Sequence, residues 1–115
     1  MIAKRFRIKD RTLLDNYYRK SKFKVNLGNI TVYRVDSFKL SNVTFSVIIS
    51  KKKVRLAVKR NYIRRIVYQL CREVIKSSPE IINKRSLYIL IVNSELSFKD
   101  LNQIKDGIKN VLINN

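Results

Sequence analysis

The chain has 115 residues, a length that suits one domain with a single core, and 45% are hydrophobic, which excludes a wholly disordered basic tail. Lys and Arg number 26 against 8 Asp and Glu, a net charge of +18, and residues 1–76 carry 21 of the basic side chains but 4 of the acidic ones. Compositional drift does not explain this clustering, so we expect a polyanionic partner. No apolar run reaches the ~18 residues of a membrane span, and we expect neither a membrane anchor nor an export segment.

The first half of the chain is predicted to contain one helix and three strands. Residues 1–9 form a basic arm, and Asp10 or Thr12 caps a short helix that ends near Lys20. The hydrophobic period then changes to two, with a bend at Gly28-Asn29 between the first strand and a second strand at residues 30–35. The inward residues of the first and third strands are Phe23, Val25, Leu27, Val43, Phe45, Val47 and Ile49.

The second half is predicted to hold a long helix, a strand and a final helix. The long helix, roughly residues 56–76, ends before Pro79, because the residue before a proline avoids helical dihedrals. Its inward residues are Tyr62, Ile63, Ile66, Val67, Leu70, Cys71 and Val74. The apolar run at 87–92 indicates a strand covered on both faces. Ser97 caps the final helix, whose inward residues are Leu101, Ile104, Ile108, Val111 and Leu112. The order α-β-β-β-α-β-α predicts an α+β fold, a two-layer sandwich of helices on one sheet.

Side chains that carry most catalytic chemistry are scarce. There is no His for acid–base catalysis or metal binding, and the single Cys71 can form neither a thiolate zinc site nor an internal disulfide. The eight carboxylates are dispersed along the chain, and two glycines are too few for a P-loop. The composition is therefore that of a binding protein. The lone thiol fits a reducing compartment, and we expect a cytoplasmic protein.

The long helix concentrates cations on one side. A row at every fourth position and its flanks comprise Arg60, Asn61, Arg64, Arg65, Tyr68 and Arg72. Lys51–Lys53 and Arg55 precede the helix and extend the basic surface. Guanidinium groups bind phosphate through two parallel hydrogen bonds, so this row predicts phosphate binding. The alternative is a solvated helix face, which usually mixes both signs of charge.

Three tyrosines, Tyr17, Tyr18 and Tyr33, lie among basic residues. Each is either a stacking platform for an unpaired base or an ordinary core residue. RNA is favoured over DNA as the partner, because no helix-turn-helix or zinc-finger pattern is present and irregular RNA is recognised by stacking plus backbone contacts.

The stretch Arg60-Asn61-Tyr62-Ile63-Arg64-Arg65, preceded by Ala57-Val58, resembles the signature of the bacterial ribonuclease P protein subunit. The signature of that family runs roughly S-K-K-x-G-x-A-V-x-R-N-R-I-K-R, and Ser50 to Lys53 matches its first part. The resemblance covers almost the whole chain in length and element order. It differs at Tyr62, which replaces the second arginine, at Arg55-Leu56, which replaces the Gly-x step, and at Tyr68 and Leu14.

The resemblance implies a mixed sheet with an unusual left-handed β-α-β crossover, and a protein that assists a catalytic RNA. That RNA and its Mg²⁺ perform the hydrolysis that removes the 5′ leader of precursor tRNA. The residues implied to contact the RNA are Lys52, Lys53, Arg60, Asn61, Arg64 and Arg65, and we add Tyr68 and Arg72 from the helix row. The leader-binding cleft is expected to include Leu14, Tyr17, Tyr18 and Tyr33. Two alternatives are a ribosome-associated RNA-binding protein and a metal-dependent nuclease.

Overall fold

The described part of the chain keeps the predicted order of strands and helices. A computed structural model describes residues 19, 23–36, 40, 42–94 and 98–114. Its elements are β1 (Phe23–Asn26), β2 (Ile30–Asp36), β3 (Thr44–Ile49), α1 (Ala57–Ser77), a 3-10 helix (Pro79–Asn83), β4 (Ser86–Val92) and α2 (Phe98–Asn114). The predicted arm, the predicted cap Ser97 and the predicted first helix lie outside the described residues, except that Arg19 is helical and exposed.

The four described strands form one mixed sheet in the order β1-β2-β4-β3. Strand β2 pairs antiparallel with both of its neighbours, so that Val32 lies opposite Val25 on one side and Leu90 on the other. Strand β3 pairs in parallel with β4, with Phe45 opposite Tyr88. Because β3 and β4 are parallel and α1 joins them, they form the expected β-α-β crossover. The α+β class is confirmed, and the left-handed sense of the crossover stays a prediction.

The two faces of the sheet bury different sets of side chains. The face toward α1 and α2 carries the main core, where the rings of Phe45 and Tyr88 stack with centroids 5.9 Å apart. The opposite face holds a smaller apolar cluster of Val35, Leu40, Leu87 and Ile89. Strand β4 contributes buried residues to both clusters, which confirms the prediction made from its continuous apolar run.

The turn between β1 and β2 depends on a glycine. Gly28 has a φ of +91°, a backbone conformation that residues with a Cβ rarely adopt. Its N–H donates to Oδ1 of Asn26 at 2.8 Å, and the N–H of Leu27 donates to the carbonyl of Ile30 at 2.8 Å. The predicted bend is confirmed, because these two bonds close the turn around Gly28.

Helix α1 ends as predicted at Ser77, and Pro79 begins the 3-10 helix. Its buried residues are Ile63, Val67, Tyr68, Leu70, Cys71, Val74 and Ile75. The prediction that Tyr62 faces inward is wrong, since its side chain is exposed. The buried arc is displaced toward Tyr68 and Ile75, which turns Tyr62 to the opposite side of the helix.

Helix α2 packs on the main core through the predicted residues. Ile104, Ile108, Val111 and Leu112 are buried, and Leu101 is partly buried against them. Gly107 allows close approach to the turn after β1, because a Cβ at this position would lie 2.9 Å from Cδ2 of Leu27. Nζ of Lys84 donates to the carbonyl of Leu112 at 2.5 Å, placing a positive charge at the end of the helix where cations are stabilising. Neither described helix is long and apolar enough to cross a membrane.

Candidate RNA interface

A tight turn of three lysines, Lys51–Lys53, connects β3 to α1, and we call it the basic turn. The N–H of Val54 donates to the carbonyl of Ser50 at 2.9 Å, and the N–H of Lys53 donates to Oγ of Ser50 at 3.4 Å. Val54 is fully buried and anchors the turn on the core. All three lysine side chains are exposed, so Lys52 and Lys53 lie on the surface.

Arg60 holds the segment after the basic turn against α1. Its Nη1 donates to the carbonyls of Val54 at 2.9 Å and Arg55 at 2.7 Å. A guanidinium has five N–H donors, and within the described part of the chain Nε and Nη2 of Arg60 make no hydrogen bond and can bind an anion. Arg60 is therefore a positioning residue for the loop as well as a candidate phosphate contact.

Arg64 and Asn61 interact with each other on the helix surface. Nη1 of Arg64 donates to Oδ1 of Asn61 at 3.0 Å. This bond uses the acceptor of the Asn61 amide and leaves its N–H₂ group for an oxygen of a ligand. Arg64 is partly buried, whereas Asn61 is exposed.

The exposed side of α1 is a different row from the predicted one. It comprises Val58, Tyr62, Arg65, Gln69, Arg72 and Lys76, which share one face at helical spacing, and we call it the exposed row. Arg65 and Arg72 lie on this row, whereas Arg60 and Arg64 lie at the border of the buried arc. Lys76 lies on the same row as Arg65 and Arg72, although it was not predicted from the sequence. Helical spacing counted from Arg65 instead of Arg60 would have indicated Lys76.

Tyr68 is a core residue, which corrects its assignment to the RNA-contacting row. Its side chain is 5% exposed, and its hydroxyl accepts a hydrogen bond from the N–H of Val47 at 3.3 Å. Val47 lies on β3, at the edge of the described sheet, where backbone groups lack a neighbouring strand on one side. The apolar residue Ile75, seven positions later on the same helix face, was the sequence signal for this burial.

The electrostatic field around the start of α1 is positive. The first turn of the helix contains no acidic residue, and Leu56 at the N-cap makes no side-chain cap, so the positive end of the helix dipole adds to the basic turn. The only acidic residue of α1 is Glu73, and its Oε2 lies 2.9 Å from Nζ of Lys105 on α2. Because Glu73 is paired with α2, the exposed row keeps its positive charge.

The second face of the sheet carries Tyr33. Its ring is partly buried beside Val35 and Ile89, and Nζ of Lys24 lies 5.8 Å from the ring centroid. The other residues of the expected leader-binding cleft, which are Leu14, Tyr17 and Tyr18, lie outside the described residues. The role of these three residues and of Tyr33 in leader binding stays a prediction.

The described titratable groups with a shifted pKa are held in the neutral form. Burial raises the pKa of the Cys71 thiol from 9.0 to about 12, and burial is also the main cause of the raised pKa of Tyr88. Neither group is ionised near neutral pH, and neither is suited to act as a nucleophile or base. Among the described residues, no group of three or more His, Cys, Asp or Glu side chains could hold a metal ion.

Comparison with known proteins identifies the family. The model of the Ribonuclease P family matches residues 2–114. A structure of the Staphylococcus aureus RNase P protein superposes with a TM-score of 0.65 at 22% identity, covering 93% of this chain and 92% of that one. A mutant of that protein with defective mRNA degradation activity gives a TM-score of 0.69 at 25% identity, covering 95% and 86%. No curated protein matches the sequence. With a family match over nearly its whole length and the fold of solved RNase P proteins, the chain belongs to the bacterial ribonuclease P protein family.

Proposed function

We propose that this subunit binds the RNA of ribonuclease P through the basic turn and the exposed row of α1. The observation that carries the proposal is the positive surface running from Lys51 to Lys76, in which the only acid of the helix, Glu73, is paired with Lys105. Arg65 and Arg72 contact phosphates, Lys52 and Lys53 extend the contact, and Asn61 donates to a phosphate or a 2′-hydroxyl.

The RNA carries the hydrolytic chemistry in this proposal. The described residues offer no ligand set for Mg²⁺, so no catalytic step is assigned to an ion held by this part of the chain. We place Mg²⁺ with the phosphates of the RNA and the substrate, since Mg²⁺ favours oxygen ligands and keeps several of its waters. The part of the protein is to bind, position and neutralise charge.

The substrate is precursor tRNA, and the activity is removal of its 5′ leader in the cytoplasm. A single-stranded leader suits the second face of the sheet, where Tyr33 offers a ring and Lys24 a charge beside it. The described helices α1 and α2 pack on the other face of the sheet, so we expect the leader to bind beside Tyr33 on this one.

Cleavage of precursor tRNA by the cognate RNA, at low Mg²⁺ and with or without the protein, tests the proposal. We expect the protein to increase cleavage, Arg65→Ala with Arg72→Ala to reduce the increase, and Lys109→Ala to leave it unchanged, because Lys109 is an exposed lysine of α2. No increase with wild-type protein would contradict the proposal.

Two further assays address the alternatives. Dominant recovery of ribosomal RNA after crosslinking in cells would favour a ribosome-associated role. Degradation of messenger RNA by the purified protein alone would favour a nuclease, an activity that is attributed to the Staphylococcus aureus relative.

A further inference from the structure

The start of α1 exposes an unusual group of apolar side chains. Of the described large apolar residues, four are exposed, and three of them are Leu56 (60%), Val58 (80%) and Tyr62 (50%). Val58 and Tyr62 lie one helical turn apart on the same face, and Leu56 immediately precedes the helix. We call these three residues the Tyr62 patch. Val58 and Tyr62 together form adjoining exposed apolar surface on one helix face, and adjoining exposed apolar surface is typical of an interaction site.

The surroundings of the Tyr62 patch restrict what can cover it. Arg55 and Arg65 are exposed on either side of it in the sequence, and the first helical turn contains no acid. An apolar protein surface would have to desolvate these guanidinium groups without compensation. An unpaired nucleotide has both properties that the patch requires, since its base is a flat apolar surface and its phosphate is an anion.

We propose that an unpaired nucleobase of RNA stacks on the ring of Tyr62, with Val58 beneath its edge and Arg65 bound to its phosphate. Arg65 is three positions after Tyr62, so the two side chains are neighbours on the exposed row. The inference rests on the RNA-binding role proposed above and adds the class of nucleotide recognised at the start of α1. The signature quoted above has an arginine at this position, so this chain has an aromatic ring where the signature has a guanidinium.

Stacking and phosphate binding differ in their dependence on salt. A lost phosphate contact reduces the slope of log K against log salt by about one, whereas a lost stacking contact weakens binding at every salt concentration and leaves the slope unchanged. Tyr62→Ala is therefore expected to keep the slope, and Tyr62→Arg to increase it by about one. Tyr62→Phe retains the ring and is the matched control.

Fluorescence anisotropy with the full chain tests the inference, using a labelled single-stranded oligoadenylate and an RNA duplex of the same length. We expect Tyr62→Ala to weaken binding of the single strand by roughly 5- to 150-fold, with a much smaller effect on the duplex, because the bases of a duplex are already stacked. We expect Tyr62→Phe to bind the single strand within about twofold of wild type.

The outcomes separate this inference from the function on which it rests. If wild-type protein binds neither RNA, the RNA-binding function is wrong. If wild type binds but Tyr62→Ala binds equally well, or loses affinity equally for both RNAs, stacking at Tyr62 is wrong. Sedimentation without RNA examines a second copy of the chain as the occupant, and an oligomer dispersed by Tyr62→Ala would overturn the inference. Because Tyr62 is half exposed, its variants are expected to remain folded, which a thermal melt verifies.

Discussion

At the scale of single residues, Tyr68 and Arg60 both support the surface that we propose to bind RNA. The hydroxyl of Tyr68 satisfies a backbone N–H on β3, and the guanidinium of Arg60 bonds to two carbonyls between the basic turn and α1. A substitution at either position would reduce RNA binding indirectly if it disturbed β3 or the turn. Stability and RNA affinity therefore have to be measured separately.

Replacing Tyr68 with phenylalanine should reduce stability and leave RNA affinity unchanged. The change leaves the N–H of Val47 without its hydroxyl acceptor, which costs roughly 1–3 kcal/mol of the free energy of unfolding. Urea denaturation measures this loss. Tyr62→Phe is the control, because it removes a hydroxyl from an exposed tyrosine and should change stability by less than about 0.5 kcal/mol. If Tyr68→Phe bound RNA more weakly at unchanged stability, the prediction would be wrong and Tyr68 would contact RNA directly.

Replacing Arg60 with lysine keeps the charge but removes the fork that reaches two carbonyls. The amide of Val54 donates to the carbonyl of Ser50, and we expect its hydrogen to exchange about tenfold faster in the variant. This corresponds to a loss of roughly 1.4 kcal/mol in the free energy of opening the turn. Hydrogen exchange followed by mass spectrometry measures this rate. Arg65→Lys is the matched control, since Arg65 makes no described contact with the turn. Equal exchange in both variants would mean that Arg60 does not position the turn.

The buried thiol of Cys71 predicts a pH dependence of stability. Its pKa is raised from 9.0 in the unfolded chain to about 12 in the fold, so between these values the folded state keeps a proton that the unfolded state loses. The contribution of the protonated thiol to the free energy of unfolding is fully present below about pH 9. It decreases as the pH rises, by up to roughly 1.4 kcal/mol per pH unit. The stability difference between wild type and Cys71→Ala should therefore shrink between about pH 8 and pH 10. A constant difference over this range would show that the thiol is not buried.

At the scale of elements, the contact between α2 and the turn after β1 depends on Gly107. A glycine inside a helix costs about 1 kcal/mol relative to alanine, yet a Cβ here would meet Leu27 at 2.9 Å. We expect Gly107→Ala to be neutral or destabilising in the wild-type chain and stabilising by about 1 kcal/mol in a Leu27→Ala background. Chemical denaturation of the four proteins of this cycle measures the coupling. The same change in both backgrounds would rule out the contact as the reason for the glycine.

At the scale of the whole molecule, hydrophobic periodicity predicted the order of the elements. Buried residues recur at every second position of a strand and about every 3.6 positions of a helix, whichever way the element packs on the sheet. Hydrophobic periodicity did not predict how α1 is rotated about its own axis on the sheet. Tyr62 and Tyr68 are both amphipathic, and the packing of α1 on β3 decides which of them is buried. Arg60 was predicted as a phosphate contact from its charge, and its bonds to Val54 and Arg55 depend on a loop geometry that the sequence does not show.

RNA binding to the exposed row of α1 is tested most directly by the slope of log K against log salt for binding of the ribonuclease P RNA. For the Arg65→Ala, Arg72→Ala double variant we expect the slope to fall by about two relative to wild type, one for each lost phosphate contact. Lys109→Ala on α2 should keep the wild-type slope. An unchanged slope in the double variant, or an equal fall in Lys109→Ala, would contradict RNA binding to this row.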